Sequence, residues 1–263
     1  MTKFSNKHPI LFSFIICAVT LVISTVTTWD DKPLMGWDKL LGDTLITIFC
    51  LVVIKKIGIW DTAGFRKKGF GKGLLLGIPF IIIGLAGAYI GNIGVDFNKL
   101  QLISVSNAIL FTFNYLMVGV NEEITLRSLV LNNLLRNNEK THKGVLRAVI
   151  ISALIFGAIH IPNMFFMSPI TVIVQAINAA AAGVLFAAIY IRSKNIWAGI
   201  VIHMLVDWLA LFIEQCFTGG SSVLSIDMSI GQGLIMALSA STPPVVIALI
   251  LLRKSVIEEA VQA

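Results

Sequence analysis

The stretch AVIISALIFGAIHIPNMFFMSPITVIVQAINAAAAGVLFAAIYI, residues 148–191, runs for 44 positions without an Asp, Glu, Lys or Arg. Hydrocarbon about 30 Å thick is crossed by roughly 20 apolar helical residues, so this run is too long for one crossing and long enough for two. Pro162 and Pro169 bracket IPNMFFMSP, where the chain can turn. Two antiparallel spans are expected, Ala148 to Phe166 and Ser168 to Ile191.

The rest of the chain reads the same way. Hydrophobic residues make up 57% and charged ones 13%, against roughly a quarter charged in soluble domains. That excludes a soluble globular protein. Further spans are drawn at Ile10 to Thr28, Leu40 to Ile59, Gly73 to Val95, Gln101 to Val120, Ile196 to Ile213 and Ile230 to Leu252. The second is weakest, because Asp43, Lys55 and Lys56 trim it. With no internal repeat or linker, the expectation is an all-α polytopic membrane helical bundle of about eight transmembrane helices, one integral-membrane domain over residues 1–263.

Loop charge tests this count, since a wrong number of spans would scramble it. With both termini cytoplasmic, sixteen of the 20 Lys and Arg fall inside, Lys32, Lys39 and Lys99 fall outside, and Arg127 lies within a span. Trp29, Trp37, Trp60 and Trp197 sit at span ends, as interfacial anchors do. The first span follows Lys3 and Lys7 but lacks a small-residue cleavage site, so it is expected to be retained. Cys17, Cys50 and Cys216 show neither metal spacing nor a disulfide framework and read as packing residues. RKKGFGK, residues 66–72, has neither the strand nor the Lys-Ser/Thr of a phosphate loop. Its charge suits anionic lipid at a cell membrane, and no nucleic-acid partner is expected.

The ionisable residues inside the spans are few: Asp43, Glu122, Glu123, Arg127, His160, His203 and Asp207. Each costs about 2.5 to 3.5 kcal/mol at a bilayer centre on insertion scales for Asp or Arg, so such residues are usually paired or functional. Asp43 has no obvious partner in the sequence. In NEEITLRSLV, residues 121–130, Glu123 lies over Arg127 at i,i+4, while Glu122 is turned about 100° away without a cation. The same step joins Phe156 to His160 in FGAIH and His203 to Asp207 in HMLVD. At 1.5 Å per residue, His203, His160 and Glu122 lie about 10, 18 and 21 Å from the cytoplasmic ends of their spans. Three helices can meet there around a polar pocket. Glu122 is the natural general base, and with no Ser or Cys beside a His, water is the candidate nucleophile. Asn163, Gln175 and Asn178 suit either a cavity lining or polar interhelical contacts.

EEITLR, FGAIH and HMLVD, in that order, resemble the Glu-Glu-x-x-x-Arg, Phe-x-x-x-His and His-x-x-x-Asn/Asp motifs of the CAAX-protease and bacteriocin-processing (CPBP or "Abi") intramembrane endopeptidases, over a core of residues 121–208. The resemblance implies an eight-helix membrane protease. Carried over by position, Glu122 and His160 activate water, and His203 with Asp207 polarises the scissile carbonyl, with Glu123, Arg127 and Phe156 as structural support. No cofactor is then implied; zinc on Glu122, His160 and His203 is the alternative, and no HExxH decides it. Asp207 stands where many members have Asn, and an ionised Asp cannot donate to an oxyanion. It can instead keep His203 protonated, or be protonated itself. The implied substrate is a membrane-associated, hydrophobic or lipidated peptide or protein C-terminus.

Two other classes fit the same residues. A proton-coupled transporter would use Glu, His and Asp as a relay, but calls for broken helices and repeat symmetry. A non-catalytic scaffold or bacteriocin-immunity protein would keep the motifs only for stability.

Overall fold

A helix occupies most of each drawn span in the computed structural model, which describes residues 1–28, 36–138, 140–222 and 228–254. Trp29 and Lys32 lie outside these residues. After a short α1 (Thr2–Lys7), the long helices are α2 (Pro9–Thr27), α3 (Trp37–Ile57), α4 (Phe70–Gly91) and α5 (Val105–Glu123). A short α6 (Asn132–Asn137) precedes α7 (His142–Ala158), α8 (Pro169–Ser193), α9 (Ile196–Cys216) and α10 (Ile230–Leu251). Polar residues fix several starts. Ser104, Thr141, Ser168, Asn195 and Ser229 each accept a first-turn N–H of the helix that follows, a donor that hydrocarbon could not satisfy.

Among the described residues, six segments are long and apolar enough to cross a membrane: α2, α4, α8, α9, α10, and α7 together with the turn after it. The chain is thus a multi-pass integral membrane protein. The two long helices that fall short are the ones carrying polar groups inward. α3 holds Asp38, Lys39 and Asp43, and α5 holds Asn114, Asn121, Glu122 and Glu123. The break at IPNMFFMSP is sharper than the drawn boundary. α7 ends at Ala158 rather than Phe166, and a 3-10 turn, Ile161–Phe165, leads to Ser168. Pro162 cannot supply the amide that would continue the helix.

The main surprise lies after Glu123. Residues Ile124–Leu131 form a π-helix that joins α5 to α6 in one rod. The uniform rise assumed for the depth of Glu122 therefore does not hold through this segment. Such wide turns are rare and appear mostly at functional sites. All eight residues are buried, and neighbours hold them: Ser128 Oγ donates to the Ala63 carbonyl at 2.7 Å and Ser152 Oγ to that of Leu126 at 3.3 Å. The π-segment packs against α3, α5, α7, α8 and α9, and is the hub of the bundle. Around it, α8 pairs with α7 and α10, α9 with α4 and α5, and α3 with α2 and α5. Exposed Leu75 and Ile82 of α4 and Leu238 and Leu249 of α10 present apolar surface outward, as a lipid-facing helix must.

The basic segments gather at one end. Thr2 Oγ1 donates to the Lys56 carbonyl, Arg136 to that of Ile57 at 2.7 Å, and Arg66 to that of Lys194 at 2.6 Å. On loop charge, this end is the one expected to face the cytoplasm. At the other end a two-residue ladder, β1 (Gln101–Leu102) with β2 (Phe217–Thr218), ties the entry of α5 to the exit of α9.

A polar clasp pins the basic end to the hub. Asn132 Nδ2 lies 2.9 Å from the Thr62 carbonyl, 3.1 Å from that of Ser128 and 2.5 Å from the Tyr190 hydroxyl. Tyr190 donates in turn to the Thr62 carbonyl. Truncating Asn132 to Ala strips this node at once, and at about 1 kcal/mol per net hydrogen bond it is expected to cost about 2 kcal/mol. Thermal unfolding in detergent checks this; Tyr190→Phe, which keeps the ring, is expected to cost less.

Candidate active site

The site is built where α5 and α9, running antiparallel, come unusually close. A Cβ on Gly119 would stand 2.9 Å from the Ile200 carbonyl oxygen and 3.3 Å from the Met204 nitrogen, so only a residue without a side chain lets the rods meet there. One turn along, a Cβ on Gly199 would stand 2.9 Å from Glu123 Oε2. That space is what Glu123 occupies.

Glu123 reaches two partners. Its Oε1 accepts from His203 Nδ1 at 2.9 Å and lies 3.0 Å from Arg127 Nη1. The Arg127 contact is electrostatic, because no guanidinium nitrogen has an aligned acceptor among the described residues. Aromatic faces take up the remaining charge: the guanidinium sits over the rings of Phe156 and Phe186, at 4.7 and 5.0 Å. Phe186 also stacks on His203 at 4.7 Å with its plane tilted 22°. Arg127, Glu123, Phe156, Phe186 and His203 thus form one packed column.

A carboxylate can only accept, so the Nδ1 of His203 carries hydrogen and the ring is held in one orientation. Its Nε2 then points between two further carboxylates, 3.4 Å from Glu122 Oε2 and 3.5 Å from Asp207 Oδ2. Exposure rises across this set. The Glu123 and Arg127 side chains are 1% exposed and His203 6%, whereas Glu122 is 22% and Asp207 35% exposed. The two adjacent glutamates are therefore not equivalent: Glu123 is sealed behind the imidazole and Glu122 borders the open side.

His160 enters from α7, two residues past the helix end. Its Nδ1 lies 2.8 Å from the Phe156 carbonyl; a carbonyl only accepts, so Nδ1 is the donor and Nε2 is the nitrogen left without a hydrogen bond among the described residues. The Phe156 ring meets both imidazoles edge-on, with centroids 5.2 Å from His160 and 5.9 Å from His203. Glu122, Glu123, Arg127, His203 and Asp207 are in direct contact, and His160 joins them through Phe156. No hydrogen bond or ion pair links His160 to Glu122 among the described residues.

Other expectations are placed as well. Asp43 does have partners: Lys39 Nζ at 2.8 Å and Asn121 Nδ2 at 2.9 Å. Lys39 is on the next turn of α3, but Asn121 comes from α5, which no local spacing could announce. Asn163 Nδ2 donates to Gln175 Oε1 at 2.9 Å, tying the turn to α8. The three cysteines are free and buried. Phe186 was not singled out from the sequence, since it stands in an apolar run without a partner at motif spacing.

Both nitrogens of His203 already face carboxylates and one of His160 is taken by a backbone carbonyl. Among the described residues no group of three or more His, Cys, Asp or Glu is placed to hold a metal ion. Beyond Asp207, an open apolar groove of about 340 Å³ is lined by Ile109 and Phe113 of α5 and Trp208 and Phe212 of α9. It includes none of Glu122, His160 or His203.

Neither a curated protein nor a solved structure matches the chain. Residues 104–209, from the cap of α5 into α9, match the family model described as Type II CAAX prenyl endopeptidase Rce1-like. That segment carries all of the site and groove residues named above except Lys39, Asp43 and Phe212. Over that segment, about 40% of its length, the chain is similar to the Rce1-like family of CAAX-protease-type membrane hydrolases.

Proposed function

We propose that the chain is an intramembrane endopeptidase that hydrolyses a peptide bond with water activated by Glu122 and His160. The observation that carries this reading is the asymmetry around His203: Nδ1 is sealed on Glu123, while Nε2 opens toward Glu122 and Asp207, the partly exposed carboxylates. A reacting carbonyl can approach only on that side.

In the proposed reaction a water is held between Glu122 and the free Nε2 of His160. Glu122 takes one proton as the water oxygen bonds to the scissile carbonyl carbon. The carbonyl π electrons move onto oxygen, and the resulting oxyanion is met by the Nε2–H of His203. An N–H at that nitrogen has carboxylate acceptors on both sides in the resting site, so the donor is oriented before substrate arrives. When the C–N bond breaks, Glu122 returns its proton to the leaving amine. Asp207, an acceptor when ionised, holds the ring of His203 rather than the oxyanion. Glu123 and Arg127 fix that ring from behind. No step requires a metal ion.

The substrate in this reading is a membrane-associated peptide or protein C-terminus with a hydrophobic or lipidated segment. The apolar groove starting one residue beyond Asp207 supports it, as do the exposed Ile109, Leu154 and Ile173 on helices that carry the site.

Reconstituted protein given a farnesylated, quenched C-terminal peptide is expected to cleave it, and Glu122→Gln to lower kcat about 10²- to 10⁴-fold with the fold intact. A membrane peptidome identical between wild type and Glu122→Gln, together with an uncut reporter, would overturn the protease reading and leave a scaffold. Incubation with a strong zinc chelator is expected to leave cleavage unchanged; loss restored by zinc would return the metal alternative. Gly199→Ala, which crowds Glu123 against its own partner, is expected to lower kcat about tenfold or more while KM stays near wild type.

A further inference from the structure

A carboxylate buried in α3 is unexplained by the reaction above. Asp43 is 3% exposed, in a helix outside the segment that matches the family, and burying such a charge is unfavourable unless it is engaged on all sides. It is engaged on both. Oδ2 pairs with Lys39, and Oδ1 accepts from Asn121 Nδ2 at 2.9 Å. Asn121 is the residue directly before Glu122.

This contact is the first of three along α3. Further down, Cys50 Sγ lies 3.2 Å from Thr125 Oγ1, within the π-segment, and the Ile57 carbonyl accepts from Arg136 Nη1 at 2.7 Å. Thr125 Oγ1 also reaches Asn121 Oδ1 at 3.4 Å. The helix α3 therefore runs alongside the rod from α5 to α6 and grips it before, within and after the π-segment. A π turn breaks the 3.6-residue register that would otherwise transmit orientation along the rod. Glu122 stands on the last regular turn of α5, just before that break, so its direction is set by the packing of α5 on α9 and by the contacts made at that turn from outside the helix. A rotation of one residue, about 100°, would carry it off that face.

We propose that Asp43 is a positioning residue of the site: through its hydrogen bond to Asn121 it sets the helix face on which Glu122 meets His203 Nε2. Lys39 balances the charge of Asp43 so that the anchor can stay buried. Glu123 depends less on the anchor, because Arg127 and His203 already hold it.

The kinetic arm of the test rests on the hydrolytic reading, and the spectroscopic arm does not. Asp43→Leu is expected to lower kcat on the farnesylated reporter about tenfold or more with KM little changed. Asp43→Asn keeps an oxygen for Asn121 and is expected to retain most of the activity. With ¹⁵N-labelled histidine, Asp43→Leu is expected to move the Nε2 signal of His203 and leave Nδ1 in place, because the Glu122 contact is lost and the Glu123 contact kept. Should Asp43→Leu fail to fold, Asn121→Val removes the same bond from the other side and is expected to give the same pair of results. A folded Asp43→Leu with wild-type kcat and an unmoved Nε2 signal would overturn the proposal, as would equal damage by Asp43→Asn. If wild type does not cleave at all, the hydrolytic reading fails while the Nε2 signal still decides the tether.

Discussion

The 2.9 Å bond from His203 Nδ1 to Glu123 Oε1 is the interaction on which the rest of the site depends. It crosses between two helices in a region with little water to substitute for either partner. Arg127 neutralises Glu123 from behind, and two phenylalanine faces cover the guanidinium in place of hydrogen-bond acceptors. Removing one member of such a set costs more than its own contact, because it strands a buried charge that was compensated. The column is therefore indivisible in practice. Its worth lies in fixing one imidazole so that a single nitrogen faces outward.

Bringing those groups together requires two departures from regular helix packing. Gly119 and Gly199 remove side chains so that α5 and α9 can approach, and the π-segment widens the rod immediately beyond Glu123. Both cost local stability: glycine through the entropy of the unfolded chain, and the wide turn through poorer backbone geometry. Burial of the whole π-segment among neighbouring helices offsets this, and the clasp of Ser128, Asn132 and Tyr190 closes its lower end. Adjacent glutamates in a regular helix would already point apart. Here the packing goes further and places them on the two nitrogens of one ring.

Much of this was legible in the sequence because hydrocarbon penalises charge so strongly. The helical segments follow from charge-free runs, and the in-span Glu, Arg, His and Asp stand out against them. Spacing at i,i+4 was enough to pair Glu123 with Arg127. The π-segment was not legible, since ITLRSLVL reads as ordinary helix and only packing from several sides makes the wide turn tolerable. Nor could the sequence separate the glutamates by environment, because exposure depends on what α8 and α9 cover. Phe186 and Asn121 escaped for the same reason: their roles come from partners tens of residues away, and nothing local marks them. Asp43 was visible as an anomaly, but its interhelical partner was not.

Asp207 is where the proposed chemistry is most constrained. His203 Nε2 has two carboxylates, Glu122 and Asp207, at nearly equal range, and the proposed chemistry places one proton on that nitrogen. Once a substrate carbonyl arrives, the same N–H must turn to the developing oxyanion, and one carboxylate must give it up. The proposed base has to be Glu122, which needs its lone pairs for water. Asp207 is then left to hold the ring, an i,i+4 neighbour on the same helix that needs no interhelical movement to do so. An amide in its place could donate to the oxyanion but would put no full negative charge beside the imidazole. The two choices divide the work differently: an amide shares the oxyanion, whereas the carboxylate leaves it to His203 and strengthens the hold on that ring.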